Sequence, residues 1–147
     1  WKYRKKIKKN RCKDKTGQLM DKKYLAKIIA NDNQGLNIIS AYCSGAIIDI
    51  NQIKYLPKNK IFLISLLRNQ RENEKNKEKI SSICKFEFVD QVKSRNIDQK
   101  NKDLLLELIT IDILKNKNNY EINLIFSNNA YITLSTEIVE VTLEDQN

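Results

Sequence analysis

Apolar and polar residues alternate along much of this chain, and an alternation of period two is typical of half-buried β-strands. The stretch 104–114 is apolar on nearly both faces, which predicts a central strand. Proline and asparagine interrupt the pattern at 57–60, and Asn128-Asn129 interrupts it again, so both sites predict hairpin turns. The predicted strands cover residues 24–30, 46–56, 61–67, 84–88, 104–114, 122–126 and 130–134.

Helical spacing appears at two places. Following the capping candidates at 31–33, Leu36, Ile39 and Cys43 recur at intervals of three and four, and Gly45 is placed to end the helix. Near the C-terminus, residues 136–144 separate an apolar face from a glutamate face. This pattern predicts a short terminal helix capped by Ser135 or Thr136, with a strand as the alternative because several residues are β-branched.

The order of these elements predicts an α+β fold. Consecutive strands without intervening helices indicate a single antiparallel sheet of about six to seven strands, strongly bent, with an N-terminal helix and a C-terminal helix. A pleckstrin-homology-like topology matches this order by analogy. The mixed-charge segment 68–79 predicts a solvated loop, and the polar stretch 93–103 predicts another connection.

Positive charge is concentrated at the start of the chain. Residues 1–19 hold nine Lys and Arg against one Asp, a net charge of +8, which leaves only +1 of the chain's +9 for residues 20–147. We therefore expect a basic extension over 1–19, disordered or non-native, followed by one globular domain from Met20 onward. As an arm, the extension offers candidate nucleic-acid contacts at Lys2, Arg4, Lys5, Lys6, Lys8, Lys9 and Arg11.

The composition disfavours most enzyme chemistry. The chain has no histidine, and its three glycines cannot form a glycine-rich phosphate loop. The three cysteines, Cys12, Cys43 and Cys84, lack metal-ligand spacing and are expected to be reduced, with the last two acting as small buried hydrophobes. Glu107 and Asp112 could act as acids within an apolar strand, but at five residues apart they are expected on opposite faces. We predict no catalytic, metal or cofactor-binding residues.

These exclusions favour a non-catalytic protein-binding domain. Tyr42, Tyr55 and Tyr131 are candidates for a partner surface, although each also suits the edge of a core. Nucleic-acid binding through the basic arm is the alternative. No apolar run approaches the ~18 residues that span a bilayer, and no secretory signal follows the basic segment, so a cytoplasmic location is expected.

A family resemblance rests on four segments: ISAYCSGAIIDI, IKYLPKNKIFLISLL, ICKFEFVDQVKSRNID and INLIFSNNAYITLSTEIVEVTLED. Together they resemble the small bacterial proteins grouped as domain of unknown function 2948, found chiefly in alphaproteobacteria. The most specific pieces are Tyr55-Leu56-Pro57 and Arg95-Asn96-Ile97-Asp98. The chain departs from the family at 68–71, where members usually carry aromatic residues, and at Cys43-Ser44. The resemblance implies a compact cytoplasmic domain beginning near Met20 and implies no particular chemistry.

Overall fold

The computed structural model describes residues 3–10, 23–69 and 79–146, with side chains described in 26–69 and 79–146. The elements in chain order are β1 (Tyr3–Asn10), β2 (Lys23–Ala30), α1 (Asn33–Cys43), β3 (Ile47–Asp49), a 3₁₀ turn (Ile50–Gln52), β4 (Ile53–Leu56), β5 (Ile61–Asn69), β6 (Lys79–Phe86), β7 (Val89–Arg95), β8 (Leu105–Lys115), β9 (Tyr120–Phe126), β10 (Tyr131–Thr136) and β11 (Val141–Asp145).

One antiparallel sheet contains all of these strands. Their order is β1-β2-β11-β6-β5-β3-β8-β9-β10-β7, and β4 pairs with β5 beside this path. The protein is therefore mostly β within the described residues, and the predicted α+β fold of six to seven strands with two helices is wrong. The pleckstrin-homology-like topology is wrong for the same reason, because no helix follows the last strands of the described chain.

The segment predicted as a C-terminal helix is not helical, and its residues 141–144 belong to the strand β11. It inserts between β2 and β6, and its side chains alternate between buried and half-buried, with Val141, Leu143 and Asp145 turned inward. An inserted strand gains backbone hydrogen bonds on both sides, which outweighs the weak helical spacing of a β-branched segment. The alternative of a strand holds for residues 141–144, whereas residues 137–140 form the connection between β10 and β11.

The helix α1 agrees with its prediction. Asp32 caps its start by accepting a hydrogen bond from the Gly35 N–H at 2.8 Å, and Gly45 follows its end with a φ of +83°. The helix contacts β2, β5 and β8, so the sheet curves around it. At β8 the Ser40 hydroxyl accepts a hydrogen bond from the Ile111 N–H at 2.9 Å, which ties the helix to the strand.

A bulge in β8 changes which side chains share a face. The register against β9 shifts between Leu108 and Thr110, so Leu108 and Ile111 are both buried although they are three residues apart. Glu107 and Asp112 consequently lie on the same outer face, and both are exposed. The prediction that they point to opposite faces is wrong, because it assumed an unbroken strand.

Both predicted hairpin turns are confirmed. Residues 57–60 connect β4 to β5, and Asn128 and Asn129 connect β9 to β10 with φ values of 62° and 60°.

Two short segments differ from their predictions. The apolar stretch 46–56, predicted as one strand, is split by the 3₁₀ turn, which the Asp49 carboxylate caps. Residues 93–95, predicted to belong to a polar connection, are the end of the edge strand β7.

Part of the basic extension is a strand. The backbone of β1 pairs with β2 along its whole length, where the charge pattern predicted a disordered or non-native segment. Candidate contacts Lys2 and Arg11, and Cys12 as well, lie outside the described residues. The predicted domain boundary after residue 19 stays a prediction.

Candidate functional site

The most deeply buried charges of the described protein are Arg68 and Asp145. Arg68 Nε donates to Asp145 Oδ1 at 2.9 Å and Nη2 donates to Oδ2 at 2.5 Å, and neither side chain is exposed. The Ser82 hydroxyl donates to Oδ1 at 2.6 Å, while the Ala26 N–H donates to Oδ2 at 2.7 Å. With its charge compensated and its lone pairs satisfied, this group is suited to holding strands together rather than to reacting.

The mixed-charge pattern predicts a solvated loop from residue 68 onward, and this prediction is wrong for Arg68 and Asn69. Both belong to β5, and the Arg68 guanidinium lies 5.2 Å from the centre of the Tyr42 ring. Lys79, at the other end of the predicted loop, begins β6, whereas residues 70–78 lie outside the described part of the chain. No local signal reveals this burial, because the partner carboxylate is distant in sequence.

The surroundings of the two described cysteines make their thiols unreactive. Cys43 and Cys84 are buried and free, as predicted. Burial raises the pKa of the Cys43 thiol to about 12 and raises the pKa of Cys84 well above its usual value. Since the thiolate is the nucleophile, neither residue is a catalytic candidate.

An apolar area lies on the outer face of the sheet, where β5, β3 and β8 adjoin. It consists of Ile47, Leu67, Leu105 and Ile109 around the carboxylate of Glu107, and we call it the Glu107 patch. Three of these aliphatic side chains are well exposed: Leu67 by 46%, Leu105 by 61% and Ile109 by 48%. Large aliphatic side chains grouped in this way mark surfaces that other molecules cover.

The strand register places Glu107 among these apolar residues. Ile47 lies opposite Glu107 on β3, and Leu67 lies opposite Ile47 on β5. Leu105 and Ile109 lie two residues before and two residues after Glu107 along β8. The sequence suggested an acid within an apolar strand, but it could not show that the apolar residues on this side are exposed.

Three other surface carboxylates each lie close to a lysine. Glu144 lies 3.6 Å from Lys27, Glu87 lies 4.0 Å from Lys85 and Asp90 lies 2.9 Å from Lys60. In residues 26–69 and 79–146, no ion pair or hydrogen bond is made by the Glu107 side chain. The patch therefore combines exposed apolar groups with one unmatched negative charge.

A cleft of about 430 Å³ opens where α1 begins. Its lining carries both charge signs, because Asp32 and Glu137 are acidic whereas Lys115 is basic. The Lys115 ammonium lies 6.0 Å from the centre of the Tyr120 ring, and the Asp32 carboxylate is already engaged in capping the helix. Because both charge signs line the cleft, its lining does not indicate one class of ligand.

The three tyrosines predicted as a partner surface lie on three different elements. Tyr42 belongs to α1 and Tyr55 to β4, and both are half-buried against the core, with the Tyr55 hydroxyl donating to the Val89 carbonyl at 2.9 Å. Tyr131 is half-buried on β10, which is separated from β4 in the sheet by β5, β3, β8 and β9. Their role in binding stays a prediction.

The described residues contain neither a cluster of metal ligands nor a membrane-spanning helix. No three potential metal-ligating side chains of the described residues are grouped closely enough to hold an ion. Among those same residues, no helix has the length and apolar content required to cross a membrane.

Comparison with known proteins gives a family and no activity. No curated protein and no solved structure matches the chain. A family model described as "Protein of unknown function (DUF2948)" matches residues 26–147, which include α1, the whole of β3 to β11 and the Glu107 patch. The resemblance seen in the sequence is thereby confirmed, and the chain belongs to the DUF2948 family of proteins of unknown function.

Proposed function

We propose that this chain is a non-catalytic protein-binding domain of the cytoplasm and that it binds its partner through the Glu107 patch. The observation that carries the proposal is the exposure of Leu67, Leu105 and Ile109 on adjoining strands of one face. The buried free thiols of Cys43 and Cys84 agree with a reducing compartment.

Physical chemistry favours binding over catalysis at this surface. Fully burying one leucine or isoleucine side chain contributes about 1.5–3 kcal/mol, so covering three half-exposed side chains supplies a substantial part of a binding energy. The patch is an outward-facing sheet surface, which suits a macromolecular partner better than a small substrate that needs a concave site.

The test compares the partners retained by matched variants of the full chain. Immobilised wild-type protein is exposed to cytoplasm of its native cells beside a Leu105→Ser/Ile109→Ser variant and a Leu114→Ser control. Leu114 lies on the same strand and is 56% exposed, but it lies outside the patch. We expect quantitative mass spectrometry to find proteins that wild type and control retain and the double variant loses. Equal retention by all three proteins, or retention of nothing by wild type, contradicts the proposal.

Nucleic-acid binding is the second candidate, and the charge of residues 1–19 favours it. Five of the predicted contacts, Arg4, Lys5, Lys6, Lys8 and Lys9, belong to β1. Electrostatic binding of this kind must weaken steeply with salt. We would compare RNA and DNA binding of the wild type with that of a full-length variant in which all seven predicted basic contacts are glutamine. Unchanged binding by the variant removes this candidate.

A further inference from the structure

Glu107 restricts which partner the patch can accept. Any partner that covers Leu105 and Ile109 also takes water away from the carboxylate that lies between them along β8. Within the described residues, no cation is paired with Glu107 to compensate for that loss. Burying a carboxylate without a partner is strongly unfavourable, which offsets much of the gain from covering the aliphatic side chains.

We infer that the Glu107 patch binds a protein segment that presents an arginine or lysine side chain flanked by apolar residues. This inference rests on the proposed function and adds the chemistry of the partner. The cation pairs with the Glu107 carboxylate, and the flanking apolar side chains cover Leu67, Leu105 and Ile109. A partner surface without a cation leaves the carboxylate unpaired, so the patch discriminates against it.

Arginine fits this site better than lysine. Its guanidinium offers two parallel N–H groups to a carboxylate, and its methylene stem can pack along aliphatic side chains while the charge is held at Glu107. Arginine is also enriched among residues that dominate interface energies. Phosphate-rich partners are disfavoured here, because Glu107 repels them and no cation of the patch attracts them.

The experiment uses a displayed library of random 12-residue peptides selected against the full chain. We expect the enriched peptides to share an arginine or lysine with apolar residues on both sides. The affinity of one enriched peptide is then measured by fluorescence anisotropy for the wild type, Glu107→Gln and Leu105→Ser. Glu121→Gln is the charge control, because Glu121 is an outer-face glutamate on β9 opposite Leu114.

We expect the affinity for the peptide to fall about tenfold or more in both Glu107→Gln and Leu105→Ser and to change little in Glu121→Gln. Replacing the peptide's arginine with glutamate should abolish binding to wild type and restore part of it to Glu107→Lys. Such a swap would not follow from a structural effect of the substitution.

The outcomes separate this inference from the proposed function. Peptides that need Leu105 but contain no shared cation, or that bind Glu107→Gln as tightly as wild type, overturn the inference and leave the protein-binding proposal intact. A selection that gives no peptide dependent on Leu105 overturns both. Concentration-dependent dimerisation of the wild type that Leu105→Ser abolishes identifies a second copy of this chain as the occupant and also overturns the inference.

Discussion

The guanidinium of Arg68 and the carboxylate of Asp145 meet in a two-point ion pair that is wholly removed from solvent. The two residues are 77 positions apart and lie on β5 and β11, with β6 between them in the sheet. The same carboxylate accepts hydrogen bonds from Ser82 on β6 and from the backbone of Ala26 on β2. One side chain of the last strand therefore connects four neighbouring strands.

The first prediction concerns removal of one charge from this pair. Asp145→Asn leaves the Arg68 cation buried without a counterion, and we expect the free energy of unfolding to fall by about 3–5 kcal/mol. Adding Arg68→Met removes the uncompensated cation while the asparagine oxygen can still accept from Ala26. The double variant should therefore be more stable than Asp145→Asn alone. Urea denaturation followed by circular dichroism measures both changes.

The neighbouring residue on β11 provides the control. Glu144 faces outward, and its pair with Lys27 at 3.6 Å is more than one-third exposed on the glutamate side. Exposed pairs contribute about 0–1 kcal/mol, so Glu144→Gln should have a small effect. The buried pair does not stabilise the fold as proposed if Asp145→Asn lowers the free energy of unfolding no more than Glu144→Gln does. The same conclusion follows if adding Arg68→Met makes the Asp145→Asn variant less stable.

The sequence predicted the elements whose signals are local. The start of α1 depends on Asp32 and its end on Gly45, while the β9–β10 turn depends on two adjacent asparagines that tolerate positive φ. Arg68 could not be predicted in the same way. The segment 69–79 that follows Arg68 is polar and of mixed charge, and the burial of Arg68 depends on Asp145 near the other end of the chain.

The wrong predictions about which side chains share a face and about the C-terminal helix have a similar origin. The bulge at Leu108–Thr110 shifts every later side chain of β8, and no proline or glycine marks it in the sequence. The last strand contains both a helical and an alternating pattern, and only its insertion between β2 and β6 decides between them. The Glu107 patch requires β5, β3 and β8 to be adjacent, a sheet order that hydrophobic periodicity does not contain.

The second prediction concerns the thiols. Because burial raises the pKa of Cys43 to about 12 and that of Cys84 well above its usual value, iodoacetamide should label neither residue in the folded protein at pH 8. Both should be labelled in urea, as peptide mass spectrometry would show. Ser81→Cys, at an exposed position of β6, is the positive control. If Cys43 is labelled as fast as the cysteine introduced in the Ser81→Cys variant, Cys43 is not buried in the folded protein.

The same thiols predict the direction of an alkaline effect. The folded state holds both thiols protonated, whereas the unfolded chain ionises them near the ordinary value of 9.0. Their contribution to stability is therefore complete below pH 9 and is lost as the pH rises above it. We expect the denaturation midpoint to fall above pH 9 less steeply in a Cys43→Ala/Cys84→Ala variant than in wild type.

The third prediction separates conformation from space at Gly45. Its φ of +83° suits glycine, whereas a Cβ added there would meet Asn69 Nδ2 at 3.6 Å, an ordinary contact. Gly45→Ala should therefore cost about 1–2 kcal/mol through backbone strain alone. Gly45→Asn should cost less despite its larger side chain, because asparagine tolerates this conformation better. If urea denaturation shows a greater loss of stability for Gly45→Asn than for Gly45→Ala, steric crowding is the larger effect at this position.

The fourth prediction concerns two glutamates held together at neighbouring turns. The Glu87 N–H donates to the Glu140 carbonyl at 3.0 Å, and a hydrogen bond between the two carboxyl groups is the main cause that raises the pKa of Glu140. Burial and the Glu87 charge raise it further, whereas Lys85 lowers it. Because the folded-state pKa exceeds the ordinary 4.5, the stabilisation is present below pH 4.5 and is lost as the pH rises through the folded value.

Carboxyl-detected NMR titration tests this relationship through two substitutions with opposite signs. Glu87→Gln removes the charge that opposes ionisation and should lower the pKa of Glu140 toward its ordinary value. Lys85→Gln removes a nearby cation, which lies 4.0 Å from Glu87, and should raise that pKa further. If both substitutions move the pKa of Glu140 in the same direction, the contact between the two carboxyl groups is not the main cause of its raised pKa.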